Sequence, residues 1–263
     1  MKNERVVRKV YGDIGAGRRQ GCCATSSCAS SPGESISERL GYDARQLGDV
    51  PERANLGLGC GNPTAMASLR EGEVVVDLGS GGGLDAFIAA KQVGSSGRVI
   101  GVDMTPEMID RARDNALGSE WAHVEFRLGE IEHLPIADSS ADVIISNCVI
   151  NLSSDKPRVF AEAFRVLRPG GRLAISDVLA ERALPNEVLE DIASLVGCVS
   201  GAATIPELIT MLDGAGFQQI AVSPSLESKR IIAEWFPRAG YEDYVVSASI
   251  EARKPLDGSG EVA

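Results

Sequence analysis

Three cysteines of this chain have neighbours that suit ligand binding better than core packing. Cys60 lies between glycines in "NLGLGCGNP", Cys198 follows a glycine in "LVGCVSGA", and Cys148 follows Ser-Asn at the end of an apolar run in "ADVIISNCVI". Glycine beside a thiol lets a ligand approach closely. Three soft thiolates suit a soft, trigonal, thiophilic centre. The opposing interpretation is that each cysteine fills a core as a small hydrophobic residue.

The remaining cysteines and the two histidines do not form a zinc-binding pattern. Cys22, Cys23 and Cys28 lie in "GAGRRQGCCATSSCASSPGES", whose Gly/Ser content predicts a loop. A zinc site requires four ligands. The sequence has only two histidines, His123 and His133, and it contains neither a Cys-x-x-Cys pair nor a Cys/His pair at the spacing of a zinc site. We therefore expect thiol chemistry without a metal cofactor.

The composition argues against several classes of partner. The chain has 263 residues, 44% of them hydrophobic, and a formal net charge of −11. This length suffices for one large α/β domain with an appendage, or for two small domains. The negative charge disfavours nucleic acid as a partner. No apolar run approaches about 18 residues, so we expect no membrane span. The charged start "MKNERVVRKV" lacks the apolar segment of a secretory signal, so we expect a cytoplasmic protein. We also expect the protein to be monomeric.

The elements that must position these thiols alternate between strands and helices from residue 71 onward. Short apolar runs predict strands at 73–79, 97–104, 123–130, 142–150 and 172–179. Helical spacing predicts helices between them at 84–94, 105–116 and 154–171. This alternation predicts a doubly wound α/β fold with a mostly parallel sheet.

The two ends of the chain have a different character from this central part. Residues 1–70 have weak periodicity and many helix breakers, so we expect a cap of short helices and a Cys-rich loop. After residue 180, we expect helices and then strands at 185–197, 204–216, 218–226 and 243–253. The chain thus divides into three predicted parts, 1–70, 71–180 and 181–263.

A glycine-rich turn follows the first predicted strand. Gly79, Gly81 and Gly83 stand in "VVVDLGSGGGLD", where glycine permits a tight turn and the next helix offers N–H groups to an anion. A dinucleotide fingerprint would need glycine at position 84, which is Leu84. The spacing, with Asp77 before it, instead resembles motif I of class I S-adenosylmethionine-dependent methyltransferases. A tight turn without a ligand is the alternative.

Three further segments strengthen this resemblance. Asp103 ends the second predicted strand in "GVDM", where an acid can accept hydrogen bonds from ribose hydroxyls; a helix cap at the surface is its alternative role. "GEIEHLPIAD" resembles the segment beside adenine, and "VLRPGGRL" resembles the stretch before the fifth strand. The resemblance implies a Rossmann-like fold with a C-terminal antiparallel strand and 71–180 as the cofactor core. It implies that S-adenosylmethionine is bound by Asp77, Gly79, Gly81, Gly83, Asp103, Met104, Glu130, Ile131 and Asn147.

Longer motifs narrow the resemblance to one family. The chain resembles arsenite methyltransferases over nearly its whole length. The motifs that carry this resemblance are "SNCVINL", the pattern DKxxVxxEAxRVLxPGG after it, the pattern GxVxGxDMT before it, and the cysteines of "GCG" and GCxxGA. The resemblance implies that residues 181–263 supply arsenic-site helices and complete the sheet. It implies that As(III) is bound by Cys60, Cys148 and Cys198, with an additional catalytic cysteine at Cys22 or Cys23.

The implied reaction is transfer of a methyl group to thiolate-bound arsenite or methylarsenite, free or as thiol conjugates, in metalloid detoxification. Methylation formally oxidises As(III), so a thiol pair must return two electrons, and thioredoxin or glutathione would restore the thiols. Cys60 with one of the N-terminal cysteines would serve as this pair. Two alternatives stay open: a C- or O-methyltransferase with structural cysteines, and a thiol-based sensor that binds arsenic without methylating it.

Overall fold

A mixed sheet forms the centre of the computed structural model, which describes residues 2–19, 36–237 and 239–256. Across these residues the seven strands are β1 Val74–Leu78, β2 Arg98–Asp103, β3 Val124–Leu128, β4 Ala141–Asn147, β5 Leu167–Ala180, β6 Gln218–Ser225 and β7 Val245–Arg253. Their order is β3-β2-β1-β4-β5-β7-β6. The first five pair in parallel, and β7 lies antiparallel between β5 and β6. The predicted fold class, including the antiparallel C-terminal strand, is confirmed.

Helices cover both faces of this sheet. They are α1 Lys2–Gly15, α2 Ile36–Arg39, α3 Ala44–Gly48, α4 Pro63–Met66, α5 Leu84–Val93, α6 Pro106–Asn115, α7 Lys156–Val166, α8 Asn186–Glu190, α9 Ile192–Val196, α10 Ile205–Gly214 and α11 Ser228–Trp235. Short 3₁₀ turns lie at Glu52–Ala54, Ser119–Trp121, Ile150–Leu152 and Tyr241–Asp243. None of the helices in the described part of the chain combines the length and apolarity that a membrane crossing requires.

The side chains of the central strands alternate between the two faces of the sheet, and helices pack on both faces, so these strands are buried on both sides. Val75 and Val143 pack with α5 and α6 on one face, while Val76 and Ile144 pack with α7 and α10 on the other. Strands covered on both sides read as continuous apolar runs, which is why the sequence predicts them well. The sheet therefore forms a rigid support for whatever lies at the ends of its strands.

Two predicted helices differ from the structure. The helix predicted over 154–171 ends at Val166, because β5 begins at Leu167 and takes in the Pro-Gly-Gly segment. The helix predicted over 185–197 is interrupted at Asp191, whose backbone is extended, with φ −78° and ψ 123°. The Asp191 carboxylate accepts hydrogen bonds from the N–H groups of Ala193 and Ser194, at 3.1 and 3.2 Å, and so starts α9.

Candidate active site

The carboxyl ends of β1, β2 and β4 border a cavity of about 320 Å³. All the predicted cofactor residues except Gly83 line this cavity, and Cys148 and Cys198 line it as well. In open α/β sheets, ligands bind at this edge, where the strand order reverses. The order β3-β2-β1-β4 places that reversal between β1 and β4.

The glycine-rich turn brings bare backbone to the cavity. Gly79, Gly81 and Gly83 all have positive φ, at 69°, 51° and 97°. A Cβ at Gly79 would lie 2.5 Å from Val149, whereas one at Gly81 would meet nothing within 4 Å. Gly83 has another function, because a Cβ there would lie 2.7 Å from Phe87 and 2.8 Å from a second ring. Gly83 thus permits close packing of α5 on the sheet.

Two acids, one buried and one half-buried, face the cavity beside this turn. Asp103 Oδ2 accepts a hydrogen bond from the Gly81 N–H at 3.0 Å, and its Oδ1 accepts one from the Thr105 N–H at 2.8 Å. Asp77 is buried, and its Oδ2 has no hydrogen-bond partner among the described residues. Burial, with the nearby charges of Asp85 and Asp103, raises the pKa of Asp77 well above its usual range. An unpartnered buried carboxylate favours a cationic ligand group.

These residues fit S-adenosylmethionine. Its ammonium group would satisfy the free oxygen of Asp77, and its ribose hydroxyls would find the remaining acceptor sites of Asp103. The open space at Gly81 leaves room for a ligand close to the backbone. Val7 and Tyr11 of α1 also line the cavity.

Asn147 holds the turn that carries Cys60. Its Oδ1 accepts a hydrogen bond from the Cys60 N–H at 3.0 Å, and its Nδ2 donates to the Gly61 carbonyl at 2.8 Å. Nδ2 also lies 2.8 Å from Tyr42 Oη and 3.2 Å from Asp85 Oδ2. Asn147, which directly precedes Cys148, therefore holds the Cys60 turn next to the Cys148 segment. Cofactor binding by Asn147 stays a prediction.

The glycines beside the cysteines allow three distant segments to meet. A Cβ at Gly59, where φ is 126°, would lie 2.8 Å from Asn147 Nδ2, and one at Gly61 would lie 2.7 Å from Ser176 Oγ. A Cβ at Gly197 would lie 2.2 Å from the ring of Phe236. Each glycine thus provides clearance for a neighbouring segment, and not only for a ligand.

The three thiols converge beside the cavity. Ligand atoms of Cys60, Cys148 and Asp177 lie within 4.8 Å of one another, and Cys198 Sγ lies 2.7 Å from the Cys148 carbonyl oxygen. Cys148 and Cys198 adopt left-handed backbone conformations, with φ of 56° and 63°. This conformation is rare for residues with a Cβ, so the surrounding packing must maintain it.

The thiols have different acidities. Hydrogen bonds from the thiols of Cys198 and Cys60 hold the pKa of Cys148 well below its usual range. The bond with Cys148, together with burial, raises the pKa of Cys198 well above its usual range. Burial and then the charge of Cys148 raise the pKa of Asp177. The cluster therefore favours one thiolate, at Cys148, supported by neighbouring thiol donors.

Several known proteins are similar to this chain in sequence and fold. A family model described as a methyltransferase domain matches residues 69–237. An arsenite methyltransferase from Halobacterium salinarum is 54% identical over 89% of this chain and 59% of its own length. The human arsenite methyltransferase is 38% identical over 54% of this chain and 40% of its own length. The chain thus spans about half the length of these curated relatives.

One solved structure is similar to most of this chain in both sequence and fold. An arsenic(III) S-adenosylmethionine methyltransferase from Chlamydomonas reinhardtii is 33% identical, with a TM-score of 0.63, over 87% of this chain and 76% of that one. This chain belongs to the arsenite methyltransferase family. The resemblance proposed from the motifs is confirmed.

The candidate site contains residues that the sequence analysis missed. Asp177 lies within β5 next to the thiols, and Asn151 Nδ2 donates to its Oδ1 at 2.9 Å. Asp85 and Tyr42 bond to each other at 2.7 Å beneath Asn147. The acid in "AISDVL" was the available signal for Asp177, because polar residues seldom interrupt a buried strand. Cys22, Cys23 and Cys28 lie outside the described residues.

Proposed function

We propose that this arsenite methyltransferase family member transfers the methyl group of S-adenosylmethionine to As(III) held by three thiolates. The observation that supports it most directly is the convergence of Cys60, Cys148 and Cys198 beside a cavity whose acids suit the cofactor. Asp77 would hold the ammonium group and Asp103 the ribose. When bound, S-adenosylmethionine supplies an electrophilic methyl group that an arsenic lone pair can take.

The thiols would hold the substrate without a separate general base. Two thiol protons leave with two arsenite hydroxides as water, and the hydroxide that the Cys148 thiolate displaces takes one proton from solvent, so three As–S bonds form and three waters are released. The low pKa of Cys148 supplies the first thiolate, because a thiolate and not a thiol attacks the arsenic. Once bound, As(III) presents an unprotonated lone pair. The work of the protein is then mainly to position the reacting atoms about 3–3.5 Å apart.

The electron supply belongs to the same proposal. A pair made of Cys60 and an N-terminal cysteine, Cys22, Cys23 or Cys28, would give two electrons to the oxidised arsenic and become a disulfide. Thioredoxin or glutathione would then reduce that disulfide. Use of thiol conjugates, a monomeric state and independence of a metal cofactor stay predictions, as do the cytoplasmic location and the three-part division of the chain.

Arsenic speciation tests the proposed reaction. The purified full chain is incubated with a thiol, isotope-labelled S-adenosylmethionine, and either arsenite or methylarsenite. We expect labelled methylated arsenic from both substrates. Arsenic binding without any labelled arsenic product would favour the sensor alternative. Label on another acceptor, with unchanged transfer after replacement of all three described cysteines, would favour a C- or O-methyltransferase.

The N-terminal cysteines are tested by comparing the two substrates. Arsenite offers three exchangeable ligands and methylarsenite two, so methylarsenite needs one thiolate fewer. Replacing Cys60, or Cys22 and Cys23 together, by serine should strongly slow arsenite methylation and spare methylarsenite methylation. Cys28→Ser is the control and should change little. Equal losses on both substrates for Cys60→Ser would contradict this division of roles.

A further inference from the structure

The buried carboxylate of Asp177 adds an oxygen ligand beside the thiols. The ligand atoms of Cys60, Cys148 and Asp177 lie within 4.8 Å of one another. Asp177 is only 2% exposed and does not line the cofactor cavity, whereas Cys148 does. The carboxylate therefore reaches the thiols from the interior of the protein and not from the side of the cofactor.

Asp177 is held in place by several hydrogen bonds. Its Oδ1 accepts hydrogen bonds from Asn151 Nδ2 at 2.9 Å and from the Val178 N–H at 2.8 Å. Its Oδ2 accepts one from the Ile150 N–H at 3.1 Å, and the backbone N–H of Asn151 also donates to this carboxyl group. A metal ion bound to the carboxylate would therefore replace one of these donors. The same Asn151 amide donates to the Cys198 carbonyl at 3.1 Å and ties that thiol to the group.

As(III) and tetrahedral cations would use this donor set differently. As(III) forms three bonds and keeps a lone pair, so three sulfurs satisfy it and the carboxylate is unnecessary. Zn²⁺ prefers four ligands and accepts both thiolate and carboxylate. The sequence has no Cys/His pattern for a fourth ligand, but the fold supplies one from β5. Lys156 lies close enough for its charge to act on Asp177 and Cys198, which offsets part of the negative charge.

We propose that Cys60, Cys148 and Asp177 form a site for Zn²⁺, and that Cys198, whose Sγ lies beside this group at 2.7 Å from the Cys148 carbonyl oxygen, turns toward the ion as its fourth ligand. Zn²⁺ bound there withholds the thiolates from As(III). Each coordinating thiol or carboxyl group that begins protonated releases one proton to solvent, and no oxidation state changes. The site would make a thiophilic metal ion a competitive inhibitor of arsenic binding. Because the metal alone occupies it, the proposal stands apart from methyl transfer.

Direct measurement of the metal environment is the first test. The full chain with Cys22, Cys23 and Cys28 replaced by serine retains only the three described thiols. It is titrated under reducing conditions with Zn²⁺ alone, and the one-equivalent complex is measured by X-ray absorption. We expect three sulfurs at about 2.3 Å and one oxygen at about 2.0–2.2 Å. A shell without three sulfurs and one light atom, or no stoichiometric binding, would overturn the proposal.

The second test separates zinc from arsenic by substitution. Asp177→Asn removes the charged fourth donor and should lower the ratio of Zn²⁺ to As(III) affinity by at least about 10-fold, since loss of even an outer-shell partner has effects of this size. Asp142→Asn is the matched control, because that carboxylate also accepts a backbone N–H, from Val74 at 2.8 Å, but lies at the other end of β4. An unchanged ratio in folded Asp177→Asn contradicts the proposal. If this variant does not fold, the oxygen in the absorption spectrum decides.

Competition is the third measurement. Zn²⁺ is added to the same serine-substituted chain with As(III), and bound arsenic is measured directly, without S-adenosylmethionine. We expect one equivalent of Zn²⁺ to displace As(III) and excess As(III) to displace Zn²⁺. Simultaneous stoichiometric binding of both would show that the sites are separate. Failure of methylation in other assays would leave this result unaffected.

Discussion

The glycine-rich turn and the thiol cluster border the same cavity but are built in different ways. The turn is one continuous stretch after β1, its tight positions are glycines, and Asp103 is bonded to the backbone of that same stretch. The thiols come from three separate segments, and two of them, Cys148 and Cys198, have left-handed backbones without being glycine. The cofactor region is therefore determined locally, whereas the acceptor region depends on packing between distant parts of the chain.

This difference implies that the two regions should fail separately. A change in the turn should weaken cofactor binding and leave the thiols together. A change in the contacts around Asn151 or Phe236 should disturb the thiols and leave the cofactor region intact. Four substitutions can show whether the two regions are in fact separate.

Cys148→Ser should produce the largest loss. Serine keeps the size of the side chain but removes the thiolate, and the site then lacks its most acidic sulfur. We expect methylation of arsenite and methylarsenite to fall by at least about 100-fold, the size of loss that misplacement of a reacting group can cause. S-adenosylmethionine affinity, measured by calorimetry, should stay near that of the parent. Near-parent turnover by the folded variant would rule out the three-thiolate site.

Asp103→Ala should give the converse result. It removes the acceptor assigned to the ribose, and a hydrogen bond to a charged group contributes about 1.5–3 kcal/mol. We therefore expect roughly 10- to 150-fold weaker S-adenosylmethionine binding by calorimetry. As(III) binding should persist. Asp110→Ala, an exposed acid on α6, is the control. Parallel losses of cofactor and arsenic binding would mean that the two regions are not independent.

Gly201→Ala tests the packing around the thiols. A Cβ there would lie 2.0 Å from the backbone oxygen of Asn151, and a backbone atom cannot easily move away. Overpacking of this kind costs about 1–3 kcal/mol of unfolding free energy. Urea denaturation should show that loss, together with weaker As(III) binding. Gly214→Ala in α10 meets nothing within 4 Å and should be neutral or stabilising by up to about 1 kcal/mol.

Asp191→Ala should have the smallest effect. Asp191 caps α9, which leads to Cys198, and loss of a cap costs about 1 kcal/mol. The hydrogen bond from Tyr241 Oη, followed by those from backbone N–H groups, lowers the pKa of Asp191. A depressed folded pKa means that the contribution is present above the unfolded pKa and is lost as pH falls through the folded value. Urea melts should therefore show the difference from the parent at pH 7 and its decline below about pH 4; a constant difference would contradict the assignment.

The sequence predicted the parts of the molecule that are encoded locally. Apolar strands, the glycine turn, and the acids Asp77 and Asp103 can be recognised because their residues are neighbours along the chain. The contacts of Asn147 with the Cys60 turn could not be predicted, because they join residues 87 positions apart. Asp177 was missed for the same reason, since its neighbours come from other segments. Gly83 was assigned to the cofactor by its spacing, but it faces the rings of Phe87 and Phe126.

The left-handed backbones of Cys148 and Cys198 have a consequence for laboratory evolution. A side chain in this conformation costs about 1 kcal/mol relative to glycine, which adopts it freely. Glycine at Cys148 would relieve this cost, whereas glycine at Cys198, which is only 2% exposed, would also remove a buried side chain. A directed-evolution library screened for heat resistance should therefore include arsenic as a selective pressure, so that variants without the Cys148 thiol are removed.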